Sequence, residues 1–240
     1  MINIDYIHFD TLPSTNTWVK ERAHKLNQDG LTCVTAAEQT AGRGRFKRSW
    51  ISPKGNLYAT LFFTIPPHSS YLPNIGQILA YSCAVFFQKE GIPIQIKWPN
   101  DLLIQKKKVG GMLTETVQLV DKIGIILGLG INLQLSEEAS LTIGQPATSL
   151  AAFSNKKYSP KGILPKILEI FLINLQVLQE KGFAVFKKNF IDFLAYKGEE
   201  IALNNGNKRV TGTCQGVAAD GRLQVLLPQG ELLLFWSGHE

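Results

Sequence analysis

Apolar and polar positions alternate in several segments of the chain, and each alternation predicts a strand. An apolar side chain at every second position is typical of a strand that buries one face. The last two segments are joined by a tight turn near Val120 and Asp121. The predicted strands are residues 31–39, 57–65, 92–98, 108–119 and 122–133.

The strand predicted at 122–133 carries Gly124, Gly128 and Gly130 on one face. Glycine weakens the interior of a strand, so three on the same face need a physical reason. Close approach of a ligand to the sheet is one reason, and tight packing of a helix is the other. The spacing alone favours neither.

Runs without alternation predict helices. Residues 74–89 are almost wholly apolar and are followed by Gly91, as in a buried helix that ends at a glycine. The cluster "STN" at 14–16 precedes a charged segment and is typical of a helix N-cap.

Two prolines bear on the helical segment that follows residue 158. Ser159-Pro160 is typical of a helix start. Pro165 lacks the amide hydrogen that a helix interior uses, so we expect the regular helix to begin only there. Helical patterns then extend to Gly182 and from residue 183 to about residue 196.

Beyond residue 195 the chain has short apolar runs separated by Asn-Asn-Gly, Asp-Gly and Gln-Gly. These turn signals predict hairpins and a small β-barrel of about five strands. We therefore expect an α+β protein with a mixed sheet and helices over residues 1–195 and the barrel over residues 196–240.

The charge of the chain is moderately basic and locally concentrated. Lysine and arginine number 25 against 19 aspartate and glutamate, for a net charge of +6. Seven of the basic residues lie in two short clusters, 43–48 and 106–108. This concentration favours an anionic partner without naming it.

The cysteines and the apolar segments bear on location. The three cysteines are far apart, which favours a reducing compartment, and the four histidines show no zinc-binding spacing. No secretory signal precedes the first strand, and the apolar segment 163–178 is interrupted by charged residues. We expect a cytoplasmic protein that does not span a membrane.

Five sequence features are candidates for one site. They are "STN" (14–16), "EQTAGRGRFKRSW" (38–50), "KWPND" (97–101), "KKKVGGM" (106–112) and "GLGIN" (128–132). In order and spacing this set resembles biotin–protein ligases, and the resemblance covers nearly the whole chain. Its most specific parts are "QTAGRGR…W", "KWPND" and the Lys-x-Gly-Gly that follows it.

The resemblance implies a fold and a domain organisation. The expected fold is the biotin–lipoate ligase catalytic domain, which is similar to class II synthetases, with a C-terminal SH3-like barrel. Because the motifs begin almost at the start of the chain, we expect a short form without an N-terminal DNA-binding domain.

The resemblance also implies a two-step reaction. ATP and Mg²⁺ convert biotin into biotinyl-5′-AMP, and the biotinyl group then passes to a lysine of a biotin carboxyl carrier protein of acetyl-CoA carboxylase or a related carboxylase. In the first step a carboxylate approaches a triphosphate, so fixed cations must offset the repulsion. Neither specific DNA binding nor membrane binding is expected, and the family's habit allows a homodimer.

The resemblance implies catalytic roles for Lys108, Arg43 and Arg45. The lysine that matches Lys108 contacts both the acid and the phosphate, and the two arginines fold over the adenylate. Biotin binding is implied for Ser14, Thr15, Asn16, Gln39, Gly42, Arg43, Gly44, Arg45, Lys108 and Gly111. ATP binding is implied for Arg45, Arg48, Trp50, Asn100, Asp101 and Asn132, and Asp101 is also a candidate for magnesium or for orienting Lys108.

Plainer interpretations stay open for several of these residues. Lys108 is also a candidate for a solvated turn lysine, and "STN" for a helix cap alone. Trp50 suits a core anchor as well as an adenine wall, and Pro99 favours a simple turn at Asn100 and Asp101.

One position departs from the family pattern. Lys47 stands where a third loop glycine is usual, with Phe46 before it. We therefore expect a loop that is stiffer and more cationic than is usual in the family.

Two other functions compete with biotin ligation. A lipoate ligase or octanoyl transferase has a similar fold, but those families generally lack the paired "GRGR…W" and "KWPND". A nucleic-acid-binding module would use the basic clusters, yet no helix-turn-helix, zinc finger or RNP signature accompanies them. A merely solvated surface would not need the glycines.

Overall fold

The computed structural model describes residues 4–136, 142–205 and 208–236. Its strands are β1 Ile4–Leu12, β2 Leu31–Gln39, β3 Leu57–Ile65, β4 Gln95–Lys97, β5 Asp101–Ile104, β6 Lys107–Gln118, β7 Ile123–Ile131, β8 Glu200–Asn205, β9 Lys208–Val217, β10 Leu223–Leu226 and β11 Leu232–Phe235. Its α-helices are α1 Thr15–Arg22, α2 Ile75–Lys89, α3 Pro160–Lys181 and α4 Lys187–Phe193.

The chain divides into two compact units, and both are discontinuous in sequence. The first consists of Met1–Ser70 and Ile104–Leu168, and the second of Tyr71–Leu103 and Glu169–Glu240. This division differs from the expected boundary near residue 195, because α2 and the segment around Trp98 are grouped with the C-terminal strands.

Five strands of the first unit lie in the order β1-β2-β3-β7-β6. The β1–β2 pair is parallel and the others are antiparallel, so the sheet is mixed. On one face, Val19 of α1 and Ala23, the residue that caps this helix, pack into a cluster with Val34, Phe62 and Ile126 of the sheet. Burial of these apolar side chains holds α1 against the strands.

The predicted pair of long strands is confirmed as β6 and β7, and the turn between them is closed by Leu119 N donating to Lys122 O at 3.0 Å. The predicted strand 57–65 is β3, but its side chains are buried on both faces except at Thr64. The predicted strand 92–98 shortens to the three residues of β4.

The buried helix predicted at 74–89 is α2. It ends at Lys89 with Glu90 as its C-cap, and the following Gly91 has a φ of 79°. Ile92 N donates to Phe87 O at 2.9 Å across this cap. A left-handed residue at this position is what a glycine C-cap supplies.

The start predicted for the third helix at Pro165 was wrong. Helix α3 begins at Pro160, and the amide of Gly162 donates to the Ser159 side chain at 3.2 Å. Pro165 lies inside the helix. It removes one backbone hydrogen bond near the N-terminus, and the rest of the helix proceeds because its apolar face is buried.

Helix α3 is long and apolar enough to pass a length-and-composition test for a membrane span. Its burial nevertheless follows the period of an amphipathic helix. Ile163, Ile167 and Phe171 are buried, whereas Lys161 and Lys166 are exposed. This pattern is typical of a helix that packs against a protein core.

In the second unit, four antiparallel strands form a sheet in the order β11-β10-β9-β8, one fewer than the predicted five within the described residues. The turn between β9 and β10 is held by side-chain donors of the same unit. Asn74 Nδ2 donates to Asp220 O at 2.8 Å, and Gln77 Nε2 and Trp98 Nε1 donate to Gly221 O at 2.9 and 3.0 Å.

Candidate active site

A buried polar cluster forms where α1 meets the sheet of the first unit. Ser14 is the N-cap of α1, and its Oγ accepts from Thr17 N at 3.4 Å. The N-cap interpretation of "STN" is thus confirmed for Ser14. Thr15 and Asn16 are also buried, although they begin a helix at the surface of a sheet. Their burial requires hydrogen-bond partners.

Gln39, at the end of β2, is the partner of Thr15. Its Oε1 accepts from the amide and the hydroxyl of Thr15 at 2.9 and 3.1 Å. Its Nε2 donates to Ser52 Oγ at 3.0 Å, and Ser52 Oγ donates to Trp50 O at 2.9 Å. These contacts fix the orientation of the Gln39 amide.

Thr60, on β3, also belongs to the polar cluster. Its fully buried hydroxyl lies 2.7 Å from Asn16 Oδ1 and 2.8 Å from Thr15 Oγ1. A hydroxyl has one hydrogen, and Asn16 Oδ1 is an acceptor only, so Thr60 donates to Asn16. Asn16 Oδ1 also lies against Gly128, where an added Cβ would collide with it.

Glu115, on β6, collects donors from α1 and from the basic loop. Its Oε1 accepts from Lys20 Nζ and Arg43 Nη2 at 3.1 and 3.2 Å. Its Oε2 accepts from Asn16 Nδ2 and Arg43 Nη1 at 3.1 and 3.3 Å. Burial alone would raise the pKa of this carboxyl, but the hydrogen bonds and the two cations outweigh it and lower the pKa below 4.5.

The basic loop, residues 40–52, consists of two parts with different support. We call residues 40–43 and 49–52 the root and residues 44–48 the tip. In the root, Ala41 N donates to Pro13 O at 2.8 Å and Trp50 N donates to Gly42 O at 2.9 Å. In the tip, Arg48 N donates to Arg45 O at 3.1 Å.

The tip contains two non-glycine residues in the left-handed region. Phe46 has a φ of 55° and Lys47 a φ of 59°. The side chain of Phe46 is exposed, and the Arg45 guanidinium lies 4.9 Å from its ring centroid. Lys47 thus adopts, at a strain, the conformation that a glycine would adopt freely.

The two loop glycines differ in the same way. A Cβ on Gly42 would collide with Trp50 O and Ser52 Oγ, whereas one on Gly44 would approach Arg48 O no closer than 3.4 Å. Close approach of the backbone therefore requires glycine in the root and not at Gly44.

The backbone of Lys108 is held by the segment 146–150. Lys108 N donates to Pro146 O at 2.9 Å, and Thr148 N donates to Lys108 O at 2.8 Å. Buried Asn132 fastens the same segment, because its Nδ2 donates to Thr148 O at 3.0 Å. These bonds fix where the lysine side chain begins.

The side chain of Lys108 extends over Trp50, with Nζ 5.2 Å from the ring centroid. The indole in turn packs on Gly130, where an added Cβ would lie 2.9 Å from it. Trp50 Nε1 is buried and has no hydrogen-bond partner among the described residues. A buried donor without a partner costs about 1–3 kcal/mol, so within the described residues the indole is held by its packing on Gly130 and not by a hydrogen bond from Nε1.

Each of the three glycines on this face of β7 lies against different side chains. Gly124 faces Val117 and Phe62, Gly128 faces Asn16, and Gly130 faces Trp50. The first contact is core packing. The other two bring candidate-site side chains close to the sheet, and Gly111 of β6 pairs with Gly130 beside them.

A cavity of about 500 Å³ opens beside Trp50. Its volume suits a ligand the size of a nucleotide. Its walls include two cationic residues and a buried amide. The lining residues that belong to the predicted set are Arg48, Trp50, Lys108 and Asn132.

Asn100 and Asp101 belong to the second unit. Asn100 N donates to Lys97 O at 3.2 Å, and Asp101 pairs with Lys97 across the β4–β5 hairpin. The turn that Pro99 favours is therefore present, and the peptide bond before Pro99 is cis. The nucleotide-side roles of both residues remain predictions.

In the first unit, the structure gathers the predicted residues into two groups. Ser14, Thr15, Asn16 and Gln39 form the polar cluster, and Arg48, Trp50, Lys108 and Asn132 line the cavity. Arg43 joins neither group through its guanidinium, which lies on Glu115. Arg45 lies over Phe46.

Sequence reasoning missed Glu115, Thr60 and Ser52. A signal was present for two of them. Glu115 falls on the same strand face as Gly111 and Leu113, and a charge on that face of an alternating strand needs a partner. Thr60 similarly shares a face with aromatic residues of β3. Nothing in the sequence distinguished Ser52.

The site combines positively charged side chains, oriented amides and a cavity. These features suit an anionic ligand that also carries hydrogen-bonding groups. Among the described residues, no three His, Cys, Asp or Glu side chains group as metal ligands. A divalent ion here would depend on substrate phosphates for most of its oxygen ligands, which is the usual mode for Mg²⁺.

Comparisons with known proteins agree with this geometry. The profile of the family described as Biotin/lipoate A/B protein ligase matches residues 8–132. That range contains the polar cluster, the basic loop, Lys108 and Asn132.

Relatives match over most of the chain. The bifunctional ligase/repressor BirA of Bacillus spizizenii is 31% identical over 233 residues, which cover 93% of this chain and 70% of that protein. The biotin–[acetyl-CoA-carboxylase] ligase of Paracoccus denitrificans is 27% identical, with 92% of this chain and 94% of that protein covered.

Among solved structures, the biotin protein ligase from Aquifex aeolicus in complex with biotin and ATP is similar with a TM-score of 0.78 and 32% identity. The match covers 98% of this chain and 96% of that one. The expected α+β fold, with a mixed sheet and a separate small antiparallel sheet, is thus confirmed.

Proposed function

The chain belongs to the biotin/lipoate A/B protein ligase family, and we propose that it is an ATP-dependent biotin–protein ligase. It forms biotinyl-5′-AMP from biotin and ATP and transfers the biotinyl group to a lysine of a biotin carboxyl carrier protein. Similarity to the Aquifex aeolicus and Paracoccus denitrificans proteins supports this choice within the family.

The observation that carries the proposal is Lys108 at the wall of the cavity. Its backbone is bonded on both sides, and its ammonium lies over the indole of Trp50. A cation that is fixed before the reactants arrive stabilises developing negative charge without reorganisation. Arg48 adds a second positive charge to the same cavity.

In the first step, a carboxylate oxygen of biotin attacks the α-phosphorus of ATP, and the bond to pyrophosphate breaks. Both reactants are anionic, so Lys108 offsets their repulsion. Trp50 supplies an apolar wall for the base.

The polar cluster binds the ureido ring, at the opposite end of biotin from the carboxylate. The ureido ring has one carbonyl acceptor and two N–H donors. Thr15, Asn16 and Gln39 are already oriented by bonds to one another and to Thr60. Oriented amides and hydroxyls discriminate against ligands that leave them unpaired.

We further propose that Mg²⁺ enters with ATP, because the described residues hold no carboxylate cage. Asp101 is the candidate for a protein ligand, and the ion would neutralise phosphate charge. The three cysteines are free and buried, which fits a cytoplasmic location. A homodimer, which the family's habit allows, is also proposed.

The test is mass spectrometry of a purified carrier domain after incubation with the protein, ATP and Mg²⁺. With biotin, we expect one biotinyl group on the carrier, and none when the acceptor lysine is replaced by arginine. Parallel reactions with lipoate and octanoate should leave the carrier unmodified. Modification by lipoate but not biotin would assign the chain to the other branch of the family.

A further inference from the structure

Four donors converge on the Glu115 carboxylate, and its side chain is only 15% exposed. They come from Asn16, Lys20 and Arg43, the last with two nitrogens. An ionised carboxylate offers about four acceptor positions, so all of them are used. Glu115 is therefore an organised element of the first unit and not a solvated surface charge.

Arg43 engages Glu115 with both ends of its guanidinium. Nη1 also donates to Thr17 Oγ1 at 3.4 Å, so the fork is held by two elements. A bidentate pair between arginine and a carboxylate fixes direction as well as distance. The side chain of Arg43 is thus a link from the loop to β6 and α1.

The position of this link separates it from the cavity. The Cα atoms of Lys108 and Glu115 are seven residues apart on β6, roughly 23 Å at the usual rise of a strand. The Lys108 ammonium lies over Trp50 at the wall of the cavity, whereas both Nη atoms of Arg43 donate to Glu115. Among the described residues that line the cavity, Arg48 and Lys108 carry the positive charge and Arg43 is not included.

We propose that Glu115 is a positioning residue for biotin binding, which holds the root of the basic loop through Arg43 and orients the Asn16 amide. In this role Arg43 anchors the loop and does not neutralise phosphate. The inference rests on the proposed function for its ligand, but the anchoring itself concerns this chain alone.

The anchor acts on the root because Arg43 lies among its backbone bonds. Arg43 forms a bridge with Ser49, and the neighbouring Gly42 accepts from Trp50 N. Through Asn16, the same carboxylate reaches the polar cluster. Loss of Glu115 would leave Arg43 and Lys20 facing each other as like charges and would free one donor of Asn16.

The first arm of the test needs no activity. Trypsin cleaves after lysine and arginine, and cleavage after half-buried Arg45 or exposed Lys47 and Arg48 reports release of the loop. We expect Glu115→Gln to be cleaved there about tenfold faster than the original protein, since a charged bidentate bond is worth on the order of 1.5–3 kcal/mol. Lys20→Gln removes the other cation from the same carboxylate and should change the cleavage rate less than about twofold.

The second arm measures biotin-dependent exchange of pyrophosphate into ATP for Arg43→Gln, Glu115→Gln and the double variant. Each single variant should raise KM for biotin about tenfold and leave KM for ATP nearly unchanged. The double variant should resemble either single variant, because both remove one interaction. Glu115→Asp should restore part of the loss.

The outcomes separate cleanly. If Arg43→Gln lowers kcat and raises KM for ATP equally in both Glu115 backgrounds, Arg43 acts on phosphate and the proposal is wrong. Unchanged cleavage of folded Glu115→Gln, checked by thermal melting, also overturns it. If the original protein shows no exchange at all, the proposed function fails while the proteolysis arm still decides the anchor.

Discussion

The root and the tip of the basic loop share a short stretch of sequence and are supported by opposite means. The root is bonded to the chain before α1, to the polar cluster and to Glu115. The tip is closed by its own backbone and by Arg45 over Phe46, and it holds two residues at positive φ. A run of cations that looks uniform in sequence therefore has two parts. The root is hydrogen-bonded to the rest of the first unit, and the tip has a strained backbone.

The difference suggests how the charges are used. A cation already bound to a largely buried carboxylate would lose that partner in order to bind phosphate. Moving the Arg43 guanidinium onto a phosphate would therefore cost free energy. The backbone hydrogen bonds of the tip are to its own residues, so the tip can move with less disturbance to the polar cluster than the root. We therefore expect Arg45 and Arg48, and not Arg43, to move onto a bound ligand.

The largest effect should come from a methyl group in the root. In Gly42→Ala, the new Cβ collides with Trp50 O and Ser52 Oγ, and we expect a loss of about 3 kcal/mol from the free energy of unfolding. Gly44→Ala is the matched variant in the tip and should cost less than about 0.5 kcal/mol. Urea denaturation of both measures the contrast, and equal losses would erase the distinction between the two parts.

A somewhat smaller effect is expected below the root. Thr60→Val keeps the volume of a fully buried side chain and removes the hydroxyl that donates to Asn16. The orphaned acceptor should lower the free energy of unfolding by about 2 kcal/mol. Thr114→Val, at an exposed position of β6, is the control. If thermal melting shows no difference between them, Thr60 is not part of the support.

The tip should respond in the opposite direction. Lys47→Gly relieves a left-handed lysine and should raise the free energy of unfolding by about 1 kcal/mol. Arg48→Gly, at a φ of −69°, should lower it by about 0.5 kcal/mol, because glycine only adds freedom to the unfolded chain. A Lys47→Gly protein that melts below the original would contradict the assigned strain.

The smallest effect is a pH dependence of the root. The folded pKa of Glu115 is lowered, so its stabilisation is fully present above the unfolded value of 4.5 and is lost as pH falls through the folded value. The stability difference between the original protein and Glu115→Gln should therefore be constant near neutrality and shrink below pH 4.5. Melting curves across this range would contradict the ion pair if the difference did not shrink.

The hydrophobic pattern predicted most of the strands and helices, and the motifs predicted part of the candidate site. Alternation located β3, β6 and β7 because a strand with buried residues has a period of two. The motifs located Lys108 and Trp50, which the fold brings to one cavity. The partner of Arg43 was not predicted, because Glu115 lies 72 residues away and only strand register brings the two together.

The three cations of the predicted catalytic set show the same limit. The resemblance implied a shared target, the bound adenylate, for Arg43 and Arg45. In the structure Arg43 contacts Glu115, Arg45 contacts Phe46 and Lys108 contacts Trp50. Local sequence records which charges are present, and the choice among partners depends on burial and register.

Biotin-dependent exchange of labelled pyrophosphate into ATP tests the central claim most directly, because it reports adenylate formation without a carrier. The original protein should catalyse it, Lys107→Gln should retain it, and Lys108→Gln should lose about two orders of magnitude. Absence of exchange in folded original protein, or full exchange in Lys108→Gln, would contradict the account.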